Sequence, residues 1–174
     1  MTPRIDLRQP FAADLPALFP ALIELYAAVY AEPPYREGPD DVAAFAARLP
    51  GEVRRPGFRL VVAFAADRLV GVAYGWPVAS GDWFGGVVEE PAAGLRALVK
   101  FAVMEWQVLS AYRNGGVGRA LISALLAGRP EPVAILAADP RAAARAIYHR
   151  AGWRRCGAIA MPTGVIVDVL ILTL

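Results

Sequence analysis

Three residue groups in this chain have the types and spacing that group transfer from an anionic carrier requires. The first is Arg113-Asn114-Gly115-Gly116-Val117-Gly118-Arg119, where an apolar strand-like run passes into an apolar helical pattern. Glycines at 115, 116 and 118 keep side chains off the backbone. An opening helix presents unpaired N–H groups and the positive end of its dipole, which suits a diphosphate. Arg113 and Arg119 add positive charge. Strand-to-helix loops that bind nothing also use glycine for geometry, so both readings stand at this point. The second group centres on Glu105, which strand alternation places on one face with Phe101, Val103, Gln107 and Leu109. A carboxylate in an otherwise apolar face is expected to have a raised pKa. It then accepts a proton from an alkylammonium near neutral pH, directly or through water. The competing role is a structural carboxylate bonded to backbone or arginine. The third group is Ala144 and Tyr148, one helical turn apart on one face.

Read as R-x-x-G-x-G, with Arg113, Gly116 and Gly118, and followed by Ala144-x-x-Ile147-Tyr148-x-x-x-Gly152-Trp153, the chain resembles the GNAT superfamily of acyl-CoA-dependent N-acetyltransferases. The resemblance implies a three-layer α/β fold. Its mixed central sheet has antiparallel N-terminal strands and a parallel β-α-β coenzyme-binding unit, all in a single domain spanning residues 1–174. It also implies acetyl-CoA as co-substrate, no metal, and direct attack by a primary amine in a ternary complex. The backbone of Val108 and Leu109 would pair with the pantetheine arm. The backbone of Asn114, Gly115, Gly116, Val117, Gly118 and Arg119 would surround the diphosphate. Ala144 would leave room for the pantetheine chain, and the Tyr148 hydroxyl would protonate the departing sulfur. Two positions depart from the family pattern. Arg141 stands where an asparagine often bonds the pantetheine, and Asn114 where glycine commonly follows the motif arginine.

Acceptor specificity in that superfamily comes from the segment joining the first two helices and from loops beside the central strands. In this chain those segments hold Tyr30, Glu32, Tyr35, Glu37, Trp76, Asp82, Trp83 and Phe84. Aromatic rings with carboxylates suit a cationic small-molecule or peptidyl amine. Alternatively, Trp76 and Trp83 cover the sheet edge.

Other functions fit less well. A dinucleotide oxidoreductase would use Gly116-x-Gly118 before a helix and Asp139 after the next strand, but Leu121 stands at the third glycine position. A P-loop is excluded because Arg119-Ala120 follows Gly118. A non-catalytic acyl-CoA-binding regulatory module is the closest alternative; it would keep the turn and lose Glu105 and Tyr148. Cys156 is the only cysteine and His149 the only histidine. This rules out an internal disulfide and argues against a metal cluster or a Ser-His-Asp relay. Cys156 reads as a small buried residue. The net charge is +2 with scattered arginines, so no nucleic-acid footprint is evident.

These groups need elements to position them. At 174 residues one core is expected. Charges or prolines interrupt each apolar run short of the ~20 residues of a membrane span. Met1-Thr2-Pro3-Arg4-Ile5-Asp6 lacks the pattern of a leader, so a cytoplasmic protein with no membrane association is expected. A strand is predicted over 4–7, a helix from Asp14, as cap, to about Val29, and a shorter helix from Asp40 to Pro50-Gly51. The runs 58–66 and 69–76 read as an antiparallel hairpin. Residues 77–97 read as a long loop. A strand over 101–109, a helix over 116–127 and a strand over 133–138 form a β-α-β unit. A helix over 141–151 and strands over 153–161 and 165–173 follow. Apolar strand surface near the C-terminus suits a homodimer.

Overall fold

The computed structural model describes residues 4–174; Met1 to Pro3, part of the stretch read for a leader, lie outside the described residues. Strands β1 (Ile5–Arg8), β2 (Arg59–Ala65), β3 (Arg68–Val78), β4 (Val87–Glu89), β5 (Lys100–Val108), β6 (Val133–Ala138), β7 (Arg154–Ala160) and β8 (Ile166–Thr173) form one sheet in the order β1-β2-β3-β5-β6-β8-β7-β4. Helices are α1 (Leu15–Tyr30), α2 (Pro39–Glu52), α3 (Ala93–Arg96), α4 (Val117–Leu126) and α5 (Ala144–Arg150). The expected mixed α/β sheet is present: it is mostly antiparallel, with β5 and β6 as the parallel pair joined through α4. The described residues group into two compact units: 4–76 with 105–127, and 77–104 with 128–174.

In the first unit, β1, β2 and β3 form an antiparallel meander. The β2–β3 turn is tight because Ala66 takes a left-handed φ of 52°, and a register shift follows between Ala63 and Phe64. Gly71 is required by close approach: a Cβ there would lie 2.9 Å from Leu121 Cδ1 and 3.0 Å from the Gln107 carbonyl. Helices α1 and α2 pack together, with Leu22, Leu25 and Tyr26 buried on one and Phe45 and Leu49 on the other. Each such side chain contributes roughly 1.5–3 kcal/mol of burial. Tyr26 stacks on Phe45 with ring centroids 4.0 Å apart.

Asp14 does not cap α1. Its backbone is already helical and its side chain makes no cap bond, because the chain enters through a 3-10 turn over Ala12–Asp14. Ala12–Tyr30 is also long and apolar enough to cross a membrane by length and composition alone, unlike the interrupted runs expected. Prolines 16 and 20 and Glu24 fall within it. At α2 the Gly38 N–H donates to the Asp41 carboxylate at 2.9 Å, and Pro39 opens the helix, which runs through Pro50 to Glu52.

In the second unit, β6, β8 and β7 are successive antiparallel neighbours, and β4 closes the edge against β7. Residues 77–97 are therefore not only loop, since they hold β4 and α3. Arg155 anchors β4 by forking onto both Glu89 oxygens, at 2.8 and 2.5 Å, while its Nε donates to Asp168 at 2.7 Å. Lys100 is fully buried, and its Nζ donates to the carbonyls of Ala79, Arg96 and Leu98 at 3.2, 3.0 and 2.8 Å. Its ammonium closes the end of α3, where carbonyls lack helical partners. The predicted helix at 141 begins later, at Ala144. The Asp139 carboxylate instead takes the Arg141 N–H at 2.8 Å, folding 139–142 into a turn.

Candidate functional site: a glycine turn and a buried carboxylate cluster

The turn after β5 has the geometry of an open anion cradle. Ser110–Tyr112 forms a 3-10 turn, Arg113 is extended, and Asn114 and Gly116 take left-handed φ values of 63° and 86°. Asn114 thus adopts the conformation that a glycine would supply there. Gly116 is the N-cap of α4 and brings no capping side chain, so the first N–H groups of the helix are not closed by one. Below the turn, Val117 is buried, and Trp106 Nε1 donates to the Gly118 carbonyl at 3.0 Å. The atoms nearest to a Cβ on Gly118 would be Trp106 Nε1 at 3.5 Å, Val108 Cγ2 at 3.7 Å and Trp106 Cε2 at 3.9 Å, all ordinary contacts. Packing does not demand glycine at 118, whereas a ligand laid against the backbone would.

Several groups around this turn have partners within the chain. The Val108 carbonyl accepts Arg113 Nε at 2.9 Å, and the Leu109 N–H donates to the Val70 carbonyl at 2.9 Å. Arg113 does not stand free over the cradle, because its Nη1 also donates to Glu32 at 2.6 Å. Glu32 is thereby engaged with the turn, and Arg113 holds its carboxyl below the ordinary range. Arg119 is exposed in the first turn of α4. The register of β5 with β6 covers Lys100–Val103, and β5 runs on to Val108.

Glu105 is buried at 6% exposure and sits in a polar cluster of the first unit. Its Oε2 accepts from the Tyr30 hydroxyl at 2.8 Å and from Gln107 Nε2 at 2.9 Å, and its Oε1 accepts from Arg48 Nη2 at 2.9 Å. Burial pushes its pKa up, and the bonds from Gln107 and Tyr30 and the Arg48 charge only partly offset that. Arg48 Nε donates to Glu52 at 3.1 Å, and Glu52 accepts from the Tyr74 hydroxyl at 2.6 Å. Burial, then the nearby carboxylates, hold the Tyr30 and Tyr74 phenols well above their ordinary range. Tyr35 meets Tyr30 edge-on at 4.8 Å. Trp76 is buried beside Tyr74, with the Arg55 guanidinium 4.6 Å over its ring, so it lies within packed structure and not in an open aromatic pocket. Arg48 and Glu52 were not singled out in the sequence. Their i,i+4 spacing on the helix that buries Phe45 and Leu49 is the signal that finds them.

The second unit holds the remaining candidates. Ala144 opens α5, and Tyr148, partly buried on that helix, contributes the carbonyl that closes it by accepting the N–H groups of Ala151 and Trp153. Trp153 is buried, which fixes the end of the helix. Arg141 Nε and Nη2 donate to the Asp139 carboxylate at 3.0 and 2.6 Å, so this departure from the motif serves a local turn. Trp83 packs with Phe84 against the core of Ala102, Val133, Ile135 and Ile171, 5.4 Å from Lys100 Nζ, which makes it a core-covering ring. Burial pushes the Cys156 thiol up to about 11, in keeping with an inert residue. Among the described residues no group of His, Cys, Asp and Glu has the makings of a metal site.

No family model matches this chain, and no curated protein matches its sequence. Solved structures do match, over nearly the whole length. A PaiA N-acetyltransferase from Thermoplasma acidophilum in complex with coenzyme A is 12% identical with a TM-score of 0.64, covering 98% of this chain and 99% of that one. PH1933 from Pyrococcus horikoshii OT3 is 20% identical with a TM-score of 0.68, again covering 98% and 99%. A protein assigned to the GNAT family from Desulfovibrio desulfuricans is 15% identical with a TM-score of 0.67 and the same coverage. At these identities the likeness is one of fold, and it joins the R-x-x-G-x-G turn, the parallel β5–β6 pair and the sheet order in a single conclusion: this chain has the fold of the GNAT acetyltransferases.

Proposed function

We propose that this protein is an acetyl-CoA-dependent N-acetyltransferase, one catalytic domain that acetylates a primary amine by direct attack. The observation that carries the proposal is the mouth of α4. Two left-handed residues, Asn114 and Gly116, turn the chain so that helix amides lie open, and Gly118 is left bare where packing tolerates a side chain. The coenzyme A complex of a structure with this fold supports an acyl-CoA there. When bound, acetyl-CoA supplies the acyl carbon to which the amine nitrogen bonds as the carbon–sulfur bond breaks.

The chain's own residues bind, orient and move protons. Amides at Val117 to Arg119 would hold the diphosphate, and the backbone of Val108 and Leu109, at the end of β5, is the segment assigned to the pantetheine arm. Glu105 takes a proton from the bound alkylammonium, so that the neutral amine attacks; its raised pKa brings it closer to that task than an exposed carboxylate is. The Tyr148 hydroxyl gives a proton to the sulfur as it leaves, a role assigned from the motif that surrounds it. Thermal unfolding with acetyl-CoA, longer acyl-CoAs and nicotinamide dinucleotides tests the ligand class, since stabilisation grows with ligand concentration over Kd. Thiol release against a panel of amines then tests transfer. Stabilisation by acetyl-CoA without thiol release for any amine would identify a binding module instead.

A further inference from the structure

The cluster around Glu105 already holds a cation, and that cation belongs to the chain itself. Arg48 reaches Glu105 Oε1 at 2.9 Å and Glu52 Oε1 at 3.1 Å. Its guanidinium carbon lies 4.9 Å from the Phe45 ring centroid and 5.6 Å from that of Tyr26. Two carboxylates beside a pair of aromatic rings suit an alkylammonium. The side chains of Glu105 and Glu52 are 6% and 12% exposed, yet that of Arg48 is 42% exposed. The seat is therefore closed by a long side chain that already extends into water. Even with Arg48 in place, one cation faces two carboxylates.

Next to Glu105 a second buried acceptor is left open. Gln107 is 1% exposed and gives its amide N–H to Glu105, but its Oε1 is buried with no hydrogen-bond partner among the described residues. Leaving a buried carbonyl unsatisfied costs about 1–3 kcal/mol. A primary ammonium has three N–H donors, and the acceptors beside Glu105 are its carboxylate and this amide oxygen.

We propose that Glu105, Glu52, Tyr26 and Phe45 form the seat for the ammonium of a cationic acceptor, and that Arg48 is a resident surrogate which occupies the seat until an amine displaces it. This rests on the N-acetyltransferase reading for its purpose but not for its test. It makes Arg48 a gating residue: it fills the seat with charge when no acceptor is present, and it sets how strongly an amine must compete.

The test needs no acyl donor. The unaltered chain, Arg48→Ala, Arg48→Gln and Arg48→Lys are unfolded thermally against methylguanidinium and propylammonium chlorides at constant ionic strength. The Ala and Gln variants should respond to both cations at about tenfold lower concentration than the unaltered chain, because a seat filled about nine-tenths of the time by its own cation weakens an incoming one by about that factor. Arg48→Lys should restore the weaker response, since its ammonium refills the seat. Adding Glu52→Gln to Arg48→Gln should abolish the gain. Arg48→Gln keeps the stem of the side chain and is decisive should Arg48→Ala fail to fold. Equal responses in all four chains, or no response in the Gln variant, would overturn the proposal. Absence of any acetyl-CoA response would overturn the enzyme reading alone.

Discussion

Arg113 Nη1 lies 2.6 Å from a Glu32 carboxylate oxygen, tying the glycine turn to the segment that joins α1 to α2. Both side chains are more than a third exposed, so the pair is worth at most about 1 kcal/mol to stability. Because Arg113 holds the Glu32 carboxyl below its ordinary 4.5, that small gain is present at neutral pH and is lost as pH falls below this value. Glu32→Gln should leave the melting temperature within a few degrees while freeing Arg113 to face the cradle. Coenzyme A should then bind about two- to fivefold more tightly with a steeper salt dependence, as charge pairing with an anion requires. Calorimetric titration at two salt concentrations checks this.

Gly118 and Gly116 should separate binding from folding. At Gly118 a methyl group meets only ordinary contacts within α4, so Gly118→Ala should be neutral or stabilise by up to about 1 kcal/mol. Its coenzyme affinity should nevertheless fall about tenfold or more. Gly116→Ala must force an L-residue to a φ of 86° and should lose about 1–2 kcal/mol of stability as well. Unchanged coenzyme A affinity in Gly118→Ala would remove the cradle from the binding site.

For Glu105 the sign of the pH effect is the reverse of the usual carboxylate. Burial raises its folded pKa above 4.5, so the folded state binds more protons and stability falls as pH rises from there through the folded value. Glu105→Gln should remove that slope, which melting curves across the acid to neutral range will register. Its rate should fall by about a hundredfold or more near pH 7, with the deficit shrinking as pH rises and free amine becomes plentiful. A deficit independent of pH would assign Glu105 to structure.

Tyr148→Phe should reduce turnover by about ten- to a thousandfold and leave the coenzyme A dissociation constant within about twofold. An equal loss in both would make the phenol a packing or binding group.

Lys100→Met should destabilise the chain by about 2–4 kcal/mol, since three carbonyls at the end of α3 and nearby lose their donor without gaining water. Burial also lowers the Lys100 pKa. Its folded state therefore binds fewer protons in the window just below 10.5, and stability there should rise with pH in the unaltered chain but not in the variant.

Most of the framework was legible because periodicity encodes it. The 58–76 hairpin, the β5–α4–β6 unit and the 153–173 hairpin appear within a residue or two of their predicted bounds. The glycine turn was legible for the same reason, since φ values of 63° and 86° demand residues that tolerate them. What was not legible depends on pairings distant in sequence. Glu105 lies 57 residues from Arg48 and 75 from Tyr30, and no local pattern says that α2 turns Arg48 toward β5. Arg113 looked like an anion ligand because its partner Glu32 is 81 residues away. Strand β4 escaped notice because three residues carry no period, and it exists through Arg155, 66 residues distant from Glu89.

The burial of Lys100 has a chemical consequence for the whole surface. It is the only lysine in the sequence, and it is 0% exposed, so the solvent-facing basic side chains of this protein are its arginines and the lone histidine. Guanidinium groups are poor nucleophiles toward thioesters at neutral pH because they stay protonated. An activated acetyl donor brought to this protein would thus meet no lysine on its exterior. Self-modification and amine-directed cross-linking at lysine have nothing to act upon unless the chain unfolds, which makes the appearance of an acylated Lys100 a chemical marker of lost structure.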